Sequence, residues 1–267
     1  MDIVFVGAGN LATHLSQSLQ RAGHRILQVF SRTEESASEL AGVLGCPWTT
    51  RLEDVSRWGQ IYVFALRDTV LLQVSHQLYN ILRENPCPGR LDCGASGLFV
   101  HTAGSLSIDL LPTLRRGVLY PMQTFSKHKP VDFSQIPIFI ESPTDVVLLR
   151  QISGEISQSV YELNGEGRLY LHLAAVFACN FSNHMYSLCD QILAAHKIPF
   201  DVMLPLIDET ARKVHQMPPL QAQTGPAVRH DENVIQHHLD LLEDGGMKDI
   251  YRLLSKDIYD RLQSEEN

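Results

Sequence analysis

The first half of the chain alternates short apolar runs with amphipathic stretches. Residues 3–6 form a fully apolar run, and leucines then recur every four positions from residue 11 to 19, the spacing of one helix face, up to a stop at Gly23. A second apolar run over 26–30 and a second helical pattern over 34–44 repeat this order. Further apolar runs predict strands at 61–66, 98–101, 117–120 and 136–140. Such alternation indicates a mostly parallel sheet covered by helices, which is the α/β class.

The pattern changes near residue 165, where strand-like runs give way to long amphipathic stretches. Helices are predicted over 169–196, 200–216, 233–242 and 247–262, with Pro or Gly residues between them. We therefore expect two domains, an α/β domain over residues 1–164 and an all-helical domain over residues 165–267.

The loop after the first strand, Gly7-Ala8-Gly9-Asn10-Leu11-Ala12, fits the pattern G-x-G-x-x-G/A. The first glycine of this pattern permits a tight turn, the second lets the backbone approach a pyrophosphate, and the small sixth residue lets helix and strand pack closely. Amide groups at the start of the following helix then face the anion. We predict a Rossmann-type dinucleotide site held by Gly7, Gly9, Asn10 and Leu11. The alternative is an ordinary tight turn.

The second strand ends in Ser31-Arg32-Thr33, where an NAD site usually carries Asp or Glu. An arginine between two hydroxyl residues can neutralise and hydrogen-bond a 2′-phosphate, which a carboxylate would repel. We therefore predict NADP as the cofactor, with Ala65 and Leu66 passing over it after the third strong apolar run. The alternative is that Arg32 is a solvated surface residue and that Ser31 or Thr33 only caps the next helix.

Candidate catalytic side chains follow the later strands and line one helix. His101 comes directly after a strand and can exchange a proton near neutral pH, and Gln123 lies in a polar segment after the next strand. His172, Asn180 and Asn183 fall along one side of a predicted helix. Amides on an apolar face need partners, which a substrate and a cofactor carboxamide or a neighbouring helix could supply.

The segment 223–231, QTGPAVRHD, brings hydroxyl, guanidinium and imidazole groups to a predicted helix start. Thr224 and Arg229 are its candidate substrate contacts, because this combination suits a carboxylate or a phosphate. The alternative is an N-terminal cap with a surface salt bridge.

Composition narrows the classes of partner. A net charge of −8, without a basic run, argues against nucleic acid. The five cysteines form no C-x-x-C pair, so we expect no metal and predict free thiols in a reducing cytoplasm. The chain starts without a signal-peptide pattern, and no apolar stretch approaches the roughly 20 residues that span a bilayer. These features predict a cytoplasmic protein without a membrane partner.

Five segments carry a resemblance to a known family. VGAGNLATHL, HTAGSLSIDLL, GVLYPMQTFS, HLAAVFACNFSNHMY and QTGPAVRHD resemble, in order, the blocks of bacterial Rossmann-like oxidoreductases whose C-terminal half is a helical domain of unknown function. More distantly, the arrangement is similar to pyrroline-5-carboxylate reductase, ketopantoate reductase and deazaflavin-dependent NADP oxidoreductases. These join an NADP domain to a helical domain like that of 6-phosphogluconate dehydrogenase. The resemblance implies a homodimer through the helical domain, with residues 223–231 acting across its interface.

The resemblance stops short of naming a reaction. The β-hydroxyacid dehydrogenases use a lysine one helical turn before an asparagine, and at the matching place this chain offers His172, with Asn180 further on. Either His172 is the acid or base, or His101 is, or there is no catalysis.

The sequence therefore predicts an NADP(H)-dependent oxidoreductase that transfers hydride to or from a small C=O or C=N substrate. Asn180 and Asn183 would orient the substrate and the carboxamide, and Arg229 would hold an anionic group of the substrate. One alternative is a non-catalytic NADP-binding sensor or partner protein. Another is a structural protein without a nucleotide.

Overall fold

Two compact units divide the chain, residues 1–176 and residues 177–267. The computed structural model of the protein describes residues 1–266, with side chains through residue 264. The change of pattern near residue 165 coincides with the start of helix α5 (Gly165–Ala175), which belongs to the first unit. The units therefore part about one helix later than the division at 164 predicted from the pattern.

The first unit is built on one sheet whose strands are joined mostly in parallel. The strand order is β3-β2-β1-β4-β5-β6-β7-β8, and β6 and β7 form the antiparallel pair. This confirms the predicted α/β fold with a mostly parallel sheet. The strands are β1 (Asp2–Val6), β2 (Arg25–Phe30), β3 (Trp48–Thr49), β4 (Ile61–Phe64), β5 (Leu98–His101), β6 (Arg116–Pro121), β7 (Ile138–Glu141) and β8 (Val160–Glu162).

Both faces of the sheet are covered, which explains the uninterrupted apolar runs. Along β1, Ile3 and Phe5 belong to one core and Val4 and Val6 to the other, because successive side chains point to opposite faces. Leucines of α3 pack in the second of these cores. With α5, the helices of this unit are α1 (Asn10–Arg21), α2 (Glu34–Leu44), α3 (Asp68–Glu84) and α4 (Val146–Gly154).

The second unit is helical, as predicted. A π-helical segment, Val176–Phe181, follows α5 directly. The α-helices are α6 (Ser182–Ala195), α7 (Leu204–Gln216), α8 (Glu232–Leu241) and α9 (Gly245–Glu266). No helix within residues 1–266 combines the length and hydrophobicity needed to cross a membrane.

Candidate functional site

The polar groups of the first unit gather where the strands of the sheet end. β1 lies between β2 and β4, so the loops after β1 and β4 flank the point where the strand order reverses. Ligands of open α/β sheets bind at this point, beyond the carboxyl ends of the strands. The first glycine loop and residues 65–68 both lie there.

Gly7 is required by the backbone itself. Its φ is +119°, and a Cβ on it would lie 2.2 Å from the carbonyl oxygen of Ala65. The Gly7 N–H donates to the Phe30 carbonyl at 2.8 Å, which ties the loop to the end of β2. Gly7 thus holds together the ends of β1, β2 and β4, whether or not a ligand is bound.

Gly9 faces open space. A Cβ placed on it meets nothing within 4 Å, and its φ of −81° is open to any residue, so the fold itself does not need a glycine here. It occupies the N-cap of α1, which has no side-chain cap, so the first amides of the helix lie open. Open amides and the helix dipole attract an anion. A bare backbone at a helix start therefore fits the pyrophosphate of a dinucleotide.

The side-chain amide of Asn10, predicted as a cofactor contact, forms a hydrogen bond within the protein. Its amide donates to the Phe125 carbonyl at 2.9 Å, while Nε2 of His14 lies 2.9 Å from the Ser126 carbonyl. Lys127 also pairs with Glu39 of α2. These contacts tie the loop 122–130 to α1 and α2. Leu11 packs against the core.

Arg32 lies free at the end of β2. It is exposed, and no ion pair within the described part of the chain involves it. Thr33 holds the N-cap position of α2, but its hydroxyl makes no cap bond and instead donates to Ser36 Oγ at 3.0 Å. Ser31 is partly buried. The guanidinium is thus available to a ligand phosphate.

The loops after β4 and β5 are linked by a polar contact. Ala65 and Leu66 follow β4 directly, and the carbonyl of Ala65 packs against Gly7. Asp68 begins α3, and its carboxylate accepts a hydrogen bond from the hydroxyl of Ser105. This contact fixes the loop after β5 beside the end of β4.

His101 is a fully buried histidine. Its side chain is 0% exposed, Nδ1 accepts from the Ala103 N–H at 3.2 Å, and Nε2 lacks a partner among the described residues. Burial, with a smaller contribution from the positive charge of Arg168, lowers the pKa of His101 to about 4, against an opposing effect of the Ser107 backbone. The imidazole is therefore neutral at pH 7 and shielded from solvent.

Arg168 of α5 carries a buried charge into this region. It is 1% exposed, it pairs with Glu141 of β7, and Nη2 donates to the Leu106 carbonyl at 2.6 Å. A buried guanidinium needs such partners to offset the loss of water. Burial raises the pKa of Tyr120. The Arg168 charge opposes this rise, and the Asp68 carboxylate adds to it.

Tyr120 and His172 form the second polar contact at the strand ends. The hydroxyl of Tyr120, at the end of β6, lies 3.0 Å from Nδ1 of His172 on α5. The backbone of Gly104 passes beside both groups, and a Cβ there would lie 2.8 Å from His172 Nδ1 and 2.9 Å from the Tyr120 hydroxyl. Tyr120 is nearly buried, whereas His172 is half-buried.

The five predicted site residues that remain are exposed, each within its own unit. Gln123 is exposed, and its side chain accepts from the Thr124 N–H at 2.8 Å. Asn180, Asn183, Thr224 and Arg229 belong to the second unit, where all four are exposed. Asn180 lies in the π-helical segment, so the regular helical spacing assumed from His172 to Asn183 does not hold there.

Comparison with known proteins identifies the family. Residues 2–85 match the family model described as NADP oxidoreductase, coenzyme F420-dependent, and residues 136–258 match a domain of unknown function, DUF2520. A proposed NADP oxidoreductase from Bacteroides fragilis is 48% identical, with a TM-score of 0.86 and coverage of 97% of this chain and 98% of that one. The chain belongs to the family of NADP oxidoreductases that join this N-terminal domain to a DUF2520 domain. No protein with a curated functional description matches it significantly.

More distant structures share the fold of this family. A protein from Thermotoga maritima is 22% identical, with a TM-score of 0.72 over 99% of this chain and 100% of that chain. An imine reductase from Myxococcus stipitatus in complex with NADP⁺ is 16% identical, with a TM-score of 0.64 over 99% and 93% of the two chains. At these identities the likeness concerns the fold alone.

Family membership confirms the resemblance read from the five segments, including the Rossmann-type first domain and the helical domain of unknown function. It also confirms NADP as the cofactor of the family, since the matched N-terminal model is described as an NADP oxidoreductase. Tyr120 is the main residue of the cluster that sequence reasoning missed. It is the last residue of the predicted strand 117–120, but nothing in the sequence ties it to His172.

Proposed function

We propose that this protein is an NADP(H)-dependent oxidoreductase that reduces, or forms by oxidation, a small C=O or C=N group. The observation that carries this proposal is the bare helix start at Gly9, which lies at the same end of the sheet as a Tyr–His pair. NADPH, when bound, supplies the hydride. The chain supplies the anion seat, the 2′-phosphate contact and a proton.

The preference for NADP rests on Arg32. Ser31, Arg32 and Thr33 place no carboxylate at the end of β2, and Arg32 has no protein partner among the described ion pairs. A free guanidinium can form two charge-assisted hydrogen bonds to a phosphate. The adenosine ribose of NADH lacks the 2′-phosphate and therefore cannot form these charge-assisted hydrogen bonds with Arg32.

Arg32→Ala is expected to weaken NADPH binding by about 10- to 100-fold, the loss of hydrogen bonds to a charged group. NADH affinity should change little, because NADH lacks the 2′-phosphate. Calorimetric titration of both nucleotides measures the two affinities. Arg21→Ala is the matched control, since Arg21 is also exposed and lies at the other end of α1. Equal loss for NADPH and NADH would contradict the assignment.

His172 is the better of the two candidate proton donors. His101 has no exposed surface, so it cannot contact a substrate. His172 is half-buried, and its Nδ1 already has a partner in Tyr120. This leaves Nε2 for a substrate oxygen or nitrogen.

Substrate contacts beyond His172 are proposed from the predicted pattern and the family likeness. Gln123, Asn180, Asn183 and Thr224 offer exposed polar side chains, and Arg229 offers an exposed cation for an anionic substrate group. Exposure leaves each of them free to bind.

The proposed function is tested by following NADPH consumption with a panel of small ketones, keto acids and cyclic imines. Turnover with at least one member, and none when Gly9→Asp replaces the wild type, is the expected result. Tight NADPH binding without any turnover would indicate a nucleotide-binding protein that is not an enzyme.

We further propose a homodimer formed through the helical unit. Helices α6 and α7 contain no buried residue, and α6, α8 and α9 line an apolar pocket of about 520 Å³. The unit exposes many large apolar side chains, more than a monomer normally leaves in water, including Phe177, Phe181, Val202, Leu206, Leu241 and Leu253. Sedimentation equilibrium should give twice the chain mass at micromolar concentration. A monomer throughout that range would contradict the dimer.

The five cysteines are unpaired, which supports the proposed cytoplasmic location.

A further inference from the structure

The hydrogen bond between Tyr120 and His172 has a direction that the surroundings determine. Burial raises the pKa of Tyr120, so the phenol keeps its proton near neutral pH. A neutral imidazole has one nitrogen that donates and one that accepts. The Tyr120 hydroxyl can donate to His172 Nδ1 at 3.0 Å or to Met122 Sδ at 3.8 Å, and an imidazole nitrogen is a better acceptor than a thioether sulfur. Donation to Nδ1 places the ring proton of His172 on Nε2.

The contact is held from several sides. Gly104 passes so close to both groups that any side chain there would displace them. Arg168 lies on the same helix as His172, four residues earlier, and its buried charge acts on Tyr120. The other charged group that acts on Tyr120 is Asp68, whose carboxylate is hydrogen-bonded to Ser105.

A lone neutral histidine is a poor acid, because loss of its remaining proton leaves an imidazolate. The Tyr120 hydroxyl removes this obstacle. As Nε2–H gives its proton to the substrate, the phenol proton can pass to Nδ1, so that the ring stays neutral. The negative charge then rests on the phenol oxygen, where burial and the Asp68 carboxylate oppose it and the Arg168 guanidinium favours it.

We propose that Tyr120 is a positioning residue that keeps the His172 proton on Nε2 and replaces it through Nδ1, with Arg168 stabilising the resulting phenolate. The step balances: the substrate carbon receives hydride from NADPH, and its oxygen or nitrogen receives the Nε2 proton. Nδ1 receives the phenol proton, and Tyr120 is reprotonated from water after product leaves. The inference rests on the proposed function for its chemistry and on the 3.0 Å contact for its geometry.

The first test needs no substrate. Nitrogen NMR of the histidine side chains, with the His172 signals assigned by their loss in His172→Gln, reports which ring nitrogen is protonated in the free protein. The expected result is a protonated Nε2 and an Nδ1 that accepts a hydrogen bond, with the Nδ1 signal shifted in Tyr120→Phe. A proton on Nδ1 in the wild type would overturn the inference.

The second test is the kcat of Tyr120→Phe for reduction of a ketone found by the panel. Without the phenol to replace the proton through Nδ1, kcat should fall by about 100-fold. KM and NADPH affinity should stay the same. Tyr161→Phe, which removes an exposed hydroxyl, is the matched control.

A rise in KM or a loss of NADPH affinity that matches the fall in kcat would overturn the relay, since a merely structural defect affects binding as well as kcat. If no ketone or imine turns over in the wild type, the proposed function fails. The ring-nitrogen signals then still decide whether Tyr120 sets the proton on His172.

Discussion

Gly9→Asp should abolish measurable NADPH binding, a loss of at least about 100-fold, while leaving the protein as stable as the wild type. Gly9 sits at the N-cap of α1 in an extended conformation, and an added side chain meets nothing within 4 Å. Aspartate is among the preferred N-cap residues, and it stabilises a helix there by a few tenths of a kcal/mol more than glycine does. The same carboxylate would occupy the seat of the pyrophosphate and repel it.

Calorimetric titration with NADPH and thermal unfolding together measure this separation of binding from stability. Gly42→Asp adds the same charge at an exposed helical glycine with equally open surroundings, and it should leave NADPH binding intact. Gly7→Ala should behave differently from both, because its Cβ would collide with the Ala65 carbonyl. Unchanged NADPH affinity in Gly9→Asp would show that no nucleotide binds at this helix start.

Arg168→Leu should destabilise the first unit by about 3 kcal/mol, near the lower end of the range for breaking a buried ion pair. The substitution removes a cation that is 1% exposed and leaves the Glu141 carboxylate and the Leu106 carbonyl without their partner. Glu141 keeps some access to water, which limits the loss.

Denaturant unfolding gives the free-energy difference. The matched control is Arg150→Leu, which breaks an ion pair with Glu162 in the same unit, where both side chains are about half exposed. Exposed pairs contribute only about 0–1 kcal/mol, so this variant should unfold almost as the wild type does. Equal effects of the two variants would mean that Arg168 is not held as a buried charge.

The strands of the first unit were predictable because both faces of the sheet are covered. Residues 3–6 and 98–101 read as continuous apolar runs, and the structure buries every one of their side chains. A hydrophobic run does not show whether its strand is parallel or antiparallel to its neighbour, so the sequence did not predict the antiparallel pairing of β6 and β7. Strands β3 and β8, with two and three residues, are too short to show a pattern.

Helix α3 was missed although its signal is present. Leu71, Ser75, Leu78 and Leu82 recur at helical spacing and are the buried residues of that helix. The π-helical segment carries no such signal, because hydrophobic spacing does not distinguish it from the helix around it.

The residues of the candidate site also differ in how far the sequence predicts them. Gly7, Gly9 and Arg32 could be predicted as candidates from the sequence because their proposed roles depend on local backbone and on their order after two strands. The contact of Tyr120 with His172 joins residues 52 positions apart, and only the folded sheet brings them together. The burial of His101 could not be read either, because the pattern shows that it follows a strand but not what covers it.

The most direct test of the central claim is transfer of label from NADPH deuterated at the reactive C4 position of its nicotinamide to a ketone or imine. Deuterium is expected on the former C=O or C=N carbon of the product with wild-type protein and not with Gly9→Asp. NADPH that binds but passes its label to no member of the panel would contradict it.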